Sequence, residues 1–423
     1  MTGYRQLARN RDFTTLWVGE TVSELGSTMS LFVFPILGYH LTGSTLASAL
    51  LEAAALLGLC AMLLPAGVLA DRHDRRRLML GASAAGAVLY GSLAVAGVLD
   101  LLTVPHLFVV ALLGGACTGV FQPSLSASIR DVVATEDLPT AFSQNQARQH
   151  IASLLGGPLG GLLYAVRAWA PFAVDAASYL ASCLTVSRIR TDLRPPQATG
   201  DPVSVRAHLA EGFRFIWNHT FFRVLLVWST QTNLLVNACF FAVTMRLVRE
   251  GYPAAQIGLV STCAGVGGIF GALAAPYVID RFRTGTLTAV VAWMCVLPLV
   301  PLVWWSSPAA AGTAVFLLLL LNPAGNAGIS SYRVAQTPAA LQGRVVSAMQ
   351  FGSMSVMPVA PLLGGWLLGR VGGPHTIAVL VALSAVAALI PTLSRSIRSV
   401  PRPGQWQAEA ERGIVGPVAH QSV

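Results

Sequence analysis

The chain has 423 residues, of which 54% are hydrophobic and only 11% are charged. Soluble domains carry charge at roughly 25% of positions, and a single soluble core stops growing at about 250–300 residues. This composition excludes a soluble globular protein and predicts a chain embedded in lipid. The basic residues, all arginine, give a net charge of +9. They cluster between apolar runs, which membrane orientation explains better than nucleic-acid binding.

Twelve apolar runs are long enough to cross a membrane, which takes about 20 residues. They lie at 13–38, 46–70, 78–98, 105–129, 142–165, 170–187, 222–247, 255–279, 285–305, 309–332, 345–368 and 374–393. The sequence therefore predicts an all-α integral membrane protein with twelve transmembrane helices. With the N-terminus in the cytoplasm, most arginines of both halves fall on the cytoplasmic side, as is typical of multi-pass proteins of the cell membrane. Both termini are then cytoplasmic.

An internal repeat indicates two similar halves. The pair Asp71-Arg72 after the second predicted helix recurs as Asp280-Arg281 after the eighth. The longest polar stretch separates the halves, and a surface helix is predicted within it at 203–217. The predicted parts are an N-terminal six-helix bundle (1–187), a cytoplasmic linker (188–220), a C-terminal six-helix bundle (221–394) and a cytoplasmic tail (395–423) that we expect to be disordered.

The loop after the second predicted helix is a candidate gate. Its aspartate can pair with arginines or cap a neighbouring helix, and either contact would hold one end of a passage closed. Its glycine would let a neighbouring helix approach closely. The arginines could instead serve only to set the topology. The candidate gate residues are Gly67, Asp71, Arg72, Arg75 and Arg76, with a weaker copy at Asp280 and Arg281.

Acidic residues inside predicted helices are the candidates for proton coupling, because each costs at least about 2.5 kcal/mol unless it faces a partner or a polar cavity. Glu20 and Glu24 share one face of the first helix, so we expect them to line a watery passage between the two bundles. A carboxyl group there can carry a proton or pair with a cationic substrate, whereas a hydrogen bond to a neighbouring helix is the alternative. Glu52 and Asp175 are the other candidates.

The fifth predicted helix carries a Gly-Pro element. Pro158 removes a backbone hydrogen bond, and with Gly157, Gly160 and Gly161 it predicts a hinge, a surface for close helix packing, or both. Near one end of the same helix, Arg148 is expected to extend its side chain to the membrane interface.

The seventh predicted helix carries an amide-rich patch in an otherwise apolar span. Amides suit neutral, hydrogen-bonding substrates, although bonds between helices are an equal alternative. Two tryptophans could reach a cavity, although a position at the membrane interface is the default for this residue type. The candidates for the substrate cavity are Glu24, Gln231, Asn233, Asn237, Trp17 and Trp228.

Several functions lack their motifs in this sequence. It has no phosphate-binding GxxxxGK[ST] loop, no cluster of metal ligands and no nucleophile motif. We therefore expect no enzymatic activity, no cofactor and no metal, and an ion gradient or the substrate gradient must supply the energy for transport.

The segment 67–77 resembles the signature loop of the major facilitator superfamily, and the similarity extends over nearly the whole chain. Residues 156–161 resemble the Gly-Pro motif of its drug/proton antiporters. Residues 41–44 and 121–124 are similar to the branch that contains the enterobactin exporter and macrolide-efflux-like proteins. The resemblance implies two pseudo-symmetric six-helix bundles, alternating access and export of a small organic molecule. Unlike many antiporters, this chain has no arginine at 107–119.

The sequence therefore predicts a proton-coupled exporter of an antibiotic, siderophore or other secondary metabolite. Its expected partners are membrane lipid, the small-molecule substrate and protons, with no nucleic acid, and the protein is expected to be monomeric. The alternatives are an importer of a small nutrient and a membrane sensor or scaffold that does not transport.

Overall fold

The computed structural model describes residues 7, 9–194, 205–338 and 341–406, and the regular structure of these residues is helical. The helices of the first half are α1 (Arg11–Thr42), α2 (Thr45–Arg72), α3 (Arg75–Val98), α4 (Val104–Val132), α5 (Leu138–Val166) and α6 (Ala170–Ser187). The later helices are α7 (Val205–Asn218), α8 (Thr220–Arg249), α9 (Ala254–Arg281), α10 (Thr284–Met294), α11 (Pro308–Leu320), α12 (Asn322–Ala335), α13 (Gln342–Met354), α14 (Val359–Val371), α15 (Gly373–Leu393) and α16 (Arg395–Arg398).

The ends of the first helices follow local sequence signals. Asn10 caps α1 by accepting a hydrogen bond from the backbone N–H of Phe13 (3.1 Å), as side chains of this type commonly do. Gly43 ends α1 with a φ of 66°, in the left-handed region that glycine adopts without strain. Ser44 then caps α2 through the N–H of Ala47 (3.3 Å). This tight turn makes α1 and α2 antiparallel neighbours.

Prolines interrupt three of the predicted spans in the second half. The ninth is α10 followed by a 3-10 helix, Leu297–Val303, with Pro301 inside it. The tenth is divided into α11 and α12, and the break lies just before Pro323. The eleventh is divided into α13 and α14, and Pro358 is the last residue before α14 begins. Proline has no N–H to donate, and its ring clashes with the preceding turn, so the helical hydrogen bonding breaks at these points.

Ten stretches of the described chain are long and apolar enough to cross a membrane. Each of the three interrupted spans counts as one stretch among them. The other two predicted spans correspond to α5 and α6, which carry more polar residues and pack against α1. The predicted order of twelve segments is therefore observed.

The two halves touch along two seams, one between α5 and α9 and one between α2 and α14. A Cβ atom at Gly258 of α9 would lie 2.7 Å from the backbone nitrogen of Pro158 in α5, so the two backbones meet directly. In the other seam, the hydroxyl of Thr45 donates to the carbonyl of Gly365 (2.9 Å). These contacts lie in the part of the molecule where α2 begins, which we call the Thr45 end.

The opposite end of the molecule, where α2 ends, has fewer contacts between the halves. We call it the Asp71 end. In the described chain, the hydrogen bond between the halves that lies nearest to it joins the Cys60 thiol to the Met354 carbonyl (3.7 Å). At 1.5 Å per residue along α2, Cys60 is about 16 Å from Asp71. In the described chain, the hydrogen bonds and closest backbone contacts between the halves therefore lie towards the Thr45 end and not at the Asp71 end.

The linker and the tail differ in how far they are described. The surface helix predicted at 203–217 is observed as α7, and Arg344 of α13 forms an ion pair with its Glu211. The tail was expected to be disordered from residue 395, but its first part is ordered, because the N–H of Gly285 in α10 donates to the carbonyl of Val400 (3.1 Å). The prediction for 407–423 lies outside the described residues.

Candidate proton and substrate sites

Glu24 and Arg148 form an ion pair inside the first half, between α1 and α5. Glu24 Oε2 lies 3.5 Å from the Arg148 guanidinium and accepts a hydrogen bond from Gln122 of α4 (3.3 Å). The Arg148 side chain is fully buried, whereas a quarter of the Glu24 side chain is exposed. The carboxylate is therefore the side of the pair that a proton can reach.

The prediction that Arg148 extends to the membrane interface is wrong. Its guanidinium also donates to the backbone carbonyl of Glu20 (2.8 Å) and to Oδ1 of Asn145 (2.9 Å). A buried arginine is tolerated where acceptors and a counter-charge surround it, and here they all lie inside the bundle. Arg148 thus supplies a basic residue to the interior of a bundle whose α4 has none at 107–119.

We had expected Glu20 to face a passage between the two bundles, but it does not. It is 4% exposed, and its Oε1 accepts a hydrogen bond from Ser182 of α6 (2.9 Å). Glu20 and Glu24 instead line a small polar pocket of about 40 Å³, whose walls come from the first half alone and include Ser27 and Tyr179. A water molecule needs about 10–15 Å³ of such volume, so the pocket has room for about three.

Asp175 of α6 is fully buried and lies beside Ser27, one of the residues that line this pocket. Its Oδ1 accepts a hydrogen bond from the Ser178 hydroxyl (3.2 Å) and lies 3.4 Å from the Ser27 hydroxyl. The Ser27 hydroxyl in turn lies 3.1 Å from that of Tyr179. Polar groups therefore continue from Glu24 through the pocket to Asp175.

Glu52 is the acid that lies between the halves. It lines a cavity of about 250 Å³ to which both halves contribute, among them Phe32 of α1, and Phe240 and Thr244 of α8. Within the described chain, its carboxyl group has no hydrogen bond or ion pair. Glu52 can therefore offer its charge to a substrate in the passage.

A cavity of about 440 Å³ lies within the second half and includes Trp228, Asn233 and Asn237 of α8. Gln231 is exposed and is not part of its lining, because two residues along a helix turn the side chain by about 200°. Trp17 is also outside it, since its indole N–H donates to the Gln144 carbonyl of the first half (3.4 Å). Phe240 and Ala264 line both this cavity and the one at Glu52, so the two adjoin.

The predicted gate loop has two kinds of residues. Arg75 pairs with Asp131 of α4, and Arg76 donates to the backbone carbonyls of Ile189 and Thr191. These arginines tie α3 to its own bundle and therefore do more than set the topology.

The other gate candidates make no contact across the halves in this state. Asp71 and Arg72 are exposed, as are Asp280 and Arg281 of the second copy, and no ion pair of the described chain includes them. A Cβ atom at Gly67 would have no neighbour within 4 Å. A latch at this loop therefore stays a prediction for the state in which the Asp71 end is closed.

The Gly-Pro element of α5 is a packing surface. A Cβ atom at Gly157 would lie 2.9 Å from the Gly258 carbonyl oxygen of α9. A Cβ atom at Gly160 would lie 3.0 Å from the Met29 carbonyl oxygen of α1. Gly161 faces Ala254 at the start of α9. Because α5 runs as one helix through Pro158, close packing is observed, and a hinge stays a prediction.

A sequence profile described as Major Facilitator Superfamily matches residues 16–357. The chain belongs to the Major Facilitator Superfamily. It is therefore a membrane transporter and not an enzyme, and the predicted family is confirmed.

Similar proteins include bacterial efflux proteins. Macrolide efflux protein A of Streptococcus pyogenes is 29% identical over 243 residues, and the match spans 55% of this chain and 58% of that protein. The multidrug efflux pump Tap of Mycolicibacterium fortuitum is 24% identical over 87% of this chain and 93% of that pump. The pump of the same name from Mycobacterium bovis is 26% identical over 87% of this chain and 90% of that pump.

Solved structures of similar fold confirm the predicted fold class. A bacterial homologue of the iron transporter ferroportin, in its inward-facing state, has a TM-score of 0.69 at 16% identity and covers 92% of this chain and 99% of its own. A bacterial homologue of the human lysosomal transporter Spinster, inward-facing and unoccupied, has a TM-score of 0.69 at 14% identity, covering 93% and 98%.

Three residues of these sites were not identified from the sequence. Gln122 was noted only as part of a family-like segment, yet it holds Glu24. Asn322 and Asn326, four residues apart on α12, line the cavity of the second half. Their spacing repeats that of Asn233 and Asn237, and this i, i+4 amide pattern was a signal that could have found them.

Proposed function

We propose that this protein is an efflux transporter of the cell membrane, which exports a small organic compound in exchange for protons by alternating access. The similarity to proteins named as macrolide and multidrug efflux pumps supports export. The arginine bias supports an orientation with both termini and the Asp71 end in the cytoplasm. In that orientation the end with fewer contacts between the halves faces the compartment from which an exporter takes its substrate.

The proposal depends most on the buried pair of Glu24 and Arg148. With Glu24 ionised, the guanidinium has its counter-charge 3.5 Å away. Protonation would remove this counter-charge from the fully buried guanidinium, and breaking a buried pair costs about 3–5 kcal/mol. The bundle can relieve this cost by rearranging α1 against α5, so binding of a proton would favour a different arrangement of these helices.

Helix α5 would transmit this rearrangement to the rest of the protein. Arg148 lies nine residues before Gly157, which packs directly on Gly258 of α9. A shift of α5 that follows loss of the Glu24 pair would therefore change the seam between the halves at the Thr45 end. We propose that substrate carries the protein into a state open at that end, where a proton from outside binds Glu24 and substrate leaves. The protonated protein then returns to the state open at the Asp71 end, where loss of the proton to the cytoplasm restores the pair.

Everted membrane vesicles test this function. With the vesicle interior acidified, wild-type protein should accumulate at least one compound from a panel of macrolides, chloramphenicol, ethidium and siderophores, and collapse of the pH gradient should release it. Control vesicles carry no transporter. Absence of gradient-driven accumulation across the whole panel would contradict proton-coupled export. Accumulation by intact cells, in place of exclusion, would favour import.

A further inference from the structure

The cavity of the second half is separate from the acidic network of the first half. Its lining comes from α8–α12, including the 3-10 continuation of α10, and contains no aspartate, glutamate, histidine or arginine. The adjoining cavity shares Phe240 and Ala264 with this one but differs in that its lining includes the acid Glu52. An ionised group placed among these walls would lose its hydration without gaining a counter-charge, which costs a large free energy.

The polar groups of this cavity are only partly used by the protein itself. Asn237 donates from Nδ2 to the backbone carbonyl of Asn233 (2.7 Å), and Asn326 donates from Nδ2 to Oδ1 of Asn322 (2.7 Å). An asparagine side chain offers two N–H donors and one carbonyl acceptor. Each pair therefore keeps donors and an acceptor for a ligand, and the described chain provides no partner for the side-chain amide of Asn233.

One further group at the cavity lacks a partner. Trp228 is 8% exposed, and its indole N–H has no hydrogen-bond partner in the described chain. Buried polar groups are ordinarily paired, so this N–H is suited to donate a hydrogen bond to a ligand.

We infer that this cavity binds an uncharged part of the exported compound that is rich in hydroxyl, amide or lactone groups. The inference rests on the proposed function, since it identifies what the exporter carries. The amides of α8 and α12 would hold the polar groups, while apolar side chains such as Val236, Leu299 and Val315 would cover the carbon skeleton. A volume of about 440 Å³ is within the range of sites for drug-sized ligands.

Ligand-dependent thermal stabilisation of the purified protein in lipid nanodiscs tests the inference. The neutral probes are chloramphenicol, florfenicol and the glucoside salicin, and the cationic probes are ethidium and tetraphenylphosphonium. At least one neutral probe should stabilise the wild type in a saturable way. Asn233→Leu and Asn237→Leu keep the side-chain size but remove the hydrogen bonds, and each should raise the Kd for that probe by about tenfold.

Gln231→Leu is the matched control, because it makes the same change on the exposed side of the same helix and should leave the Kd unchanged. The inference is wrong if none of the neutral probes binds, if only the cations bind, or if the asparagine variants bind a neutral probe as Gln231→Leu does. Failure of the proposed function gives a different result from failure of this inference. If a neutral probe binds but is not transported in everted vesicles, export is contradicted and the ligand site in this cavity is still supported.

Discussion

Replacing Glu24 with glutamine is expected to lower gradient-driven uptake into everted vesicles by at least about a hundredfold. Glutamine keeps the size of the side chain but cannot bind or release a proton. It also permanently removes the carboxylate that pairs with the fully buried Arg148, and breaking a buried pair costs about 3–5 kcal/mol. A free energy of that size changes an equilibrium by about two to three and a half orders of magnitude, so one arrangement of α1 and α5 would dominate.

The control for this variant is Glu136→Gln, which removes an exposed acid in the turn before α5 and should transport at the wild-type rate. Saturable binding of a transported compound to purified Glu24→Gln shows whether the variant is folded, because binding needs neither a pH gradient nor alternation between two states. Gradient-driven uptake that equals the wild-type rate would remove Glu24 from the coupling role. Glu52→Gln then becomes the next variant to measure.

Replacing Gly258 with leucine is expected to keep the Thr45 end open and to reduce transport by at least about tenfold. Even a Cβ atom at this position would lie 2.7 Å from the Pro158 nitrogen, so a leucine side chain must push α5 and α9 apart. Interiors packed at this density do not absorb such a volume without backbone shifts. A Thr45→Cys residue, on an otherwise cysteine-free background, should then react at least about tenfold faster with a membrane-impermeant thiol reagent.

Gly268→Leu provides a matched control on the same helix, because a Cβ atom there meets nothing within 4 Å. It should leave both the labelling rate and the transport rate near those of the protein with glycine at both positions. If Gly258→Leu transports normally, or if Thr45→Cys stays unreactive in it, the seam between α5 and α9 does not close the Thr45 end of the passage.

The positions of the helices could be predicted from the sequence, whereas the contacts between side chains of different helices could not. Apolar runs predict membrane helices well, because the energy of burying each segment in lipid is a local property. The broken spans were missed for a related reason. A run of apolar residues that contains Pro301 or Pro323 still reads as one span, and the run alone does not show whether the helix breaks there or continues through the proline, as α5 does at Pro158.

Arg148 illustrates what a local pattern cannot decide. Its position near one end of α5 allows either extension to the membrane interface or burial in the bundle. Acceptors on other helices, Glu24 and the Glu20 carbonyl on α1, determine the outcome. Likewise, Glu20 and Glu24 were expected to share a watery passage because they share a helix face. The pocket they line belongs to the first half alone, which depends on how α4 and α6 pack.

The most direct test of the account is to ask whether outward movement of substrate drives protons in the opposite direction. Proteoliposomes would be prepared at equal pH on both sides, with a pH-sensitive dye inside and a gradient of a transported compound from the probe panel as the sole source of energy. The account predicts that substrate flow through the wild type changes the internal pH in the sense of exchange, and that Glu24→Gln abolishes this change. Substrate flow that leaves the internal pH constant in the wild type would contradict it.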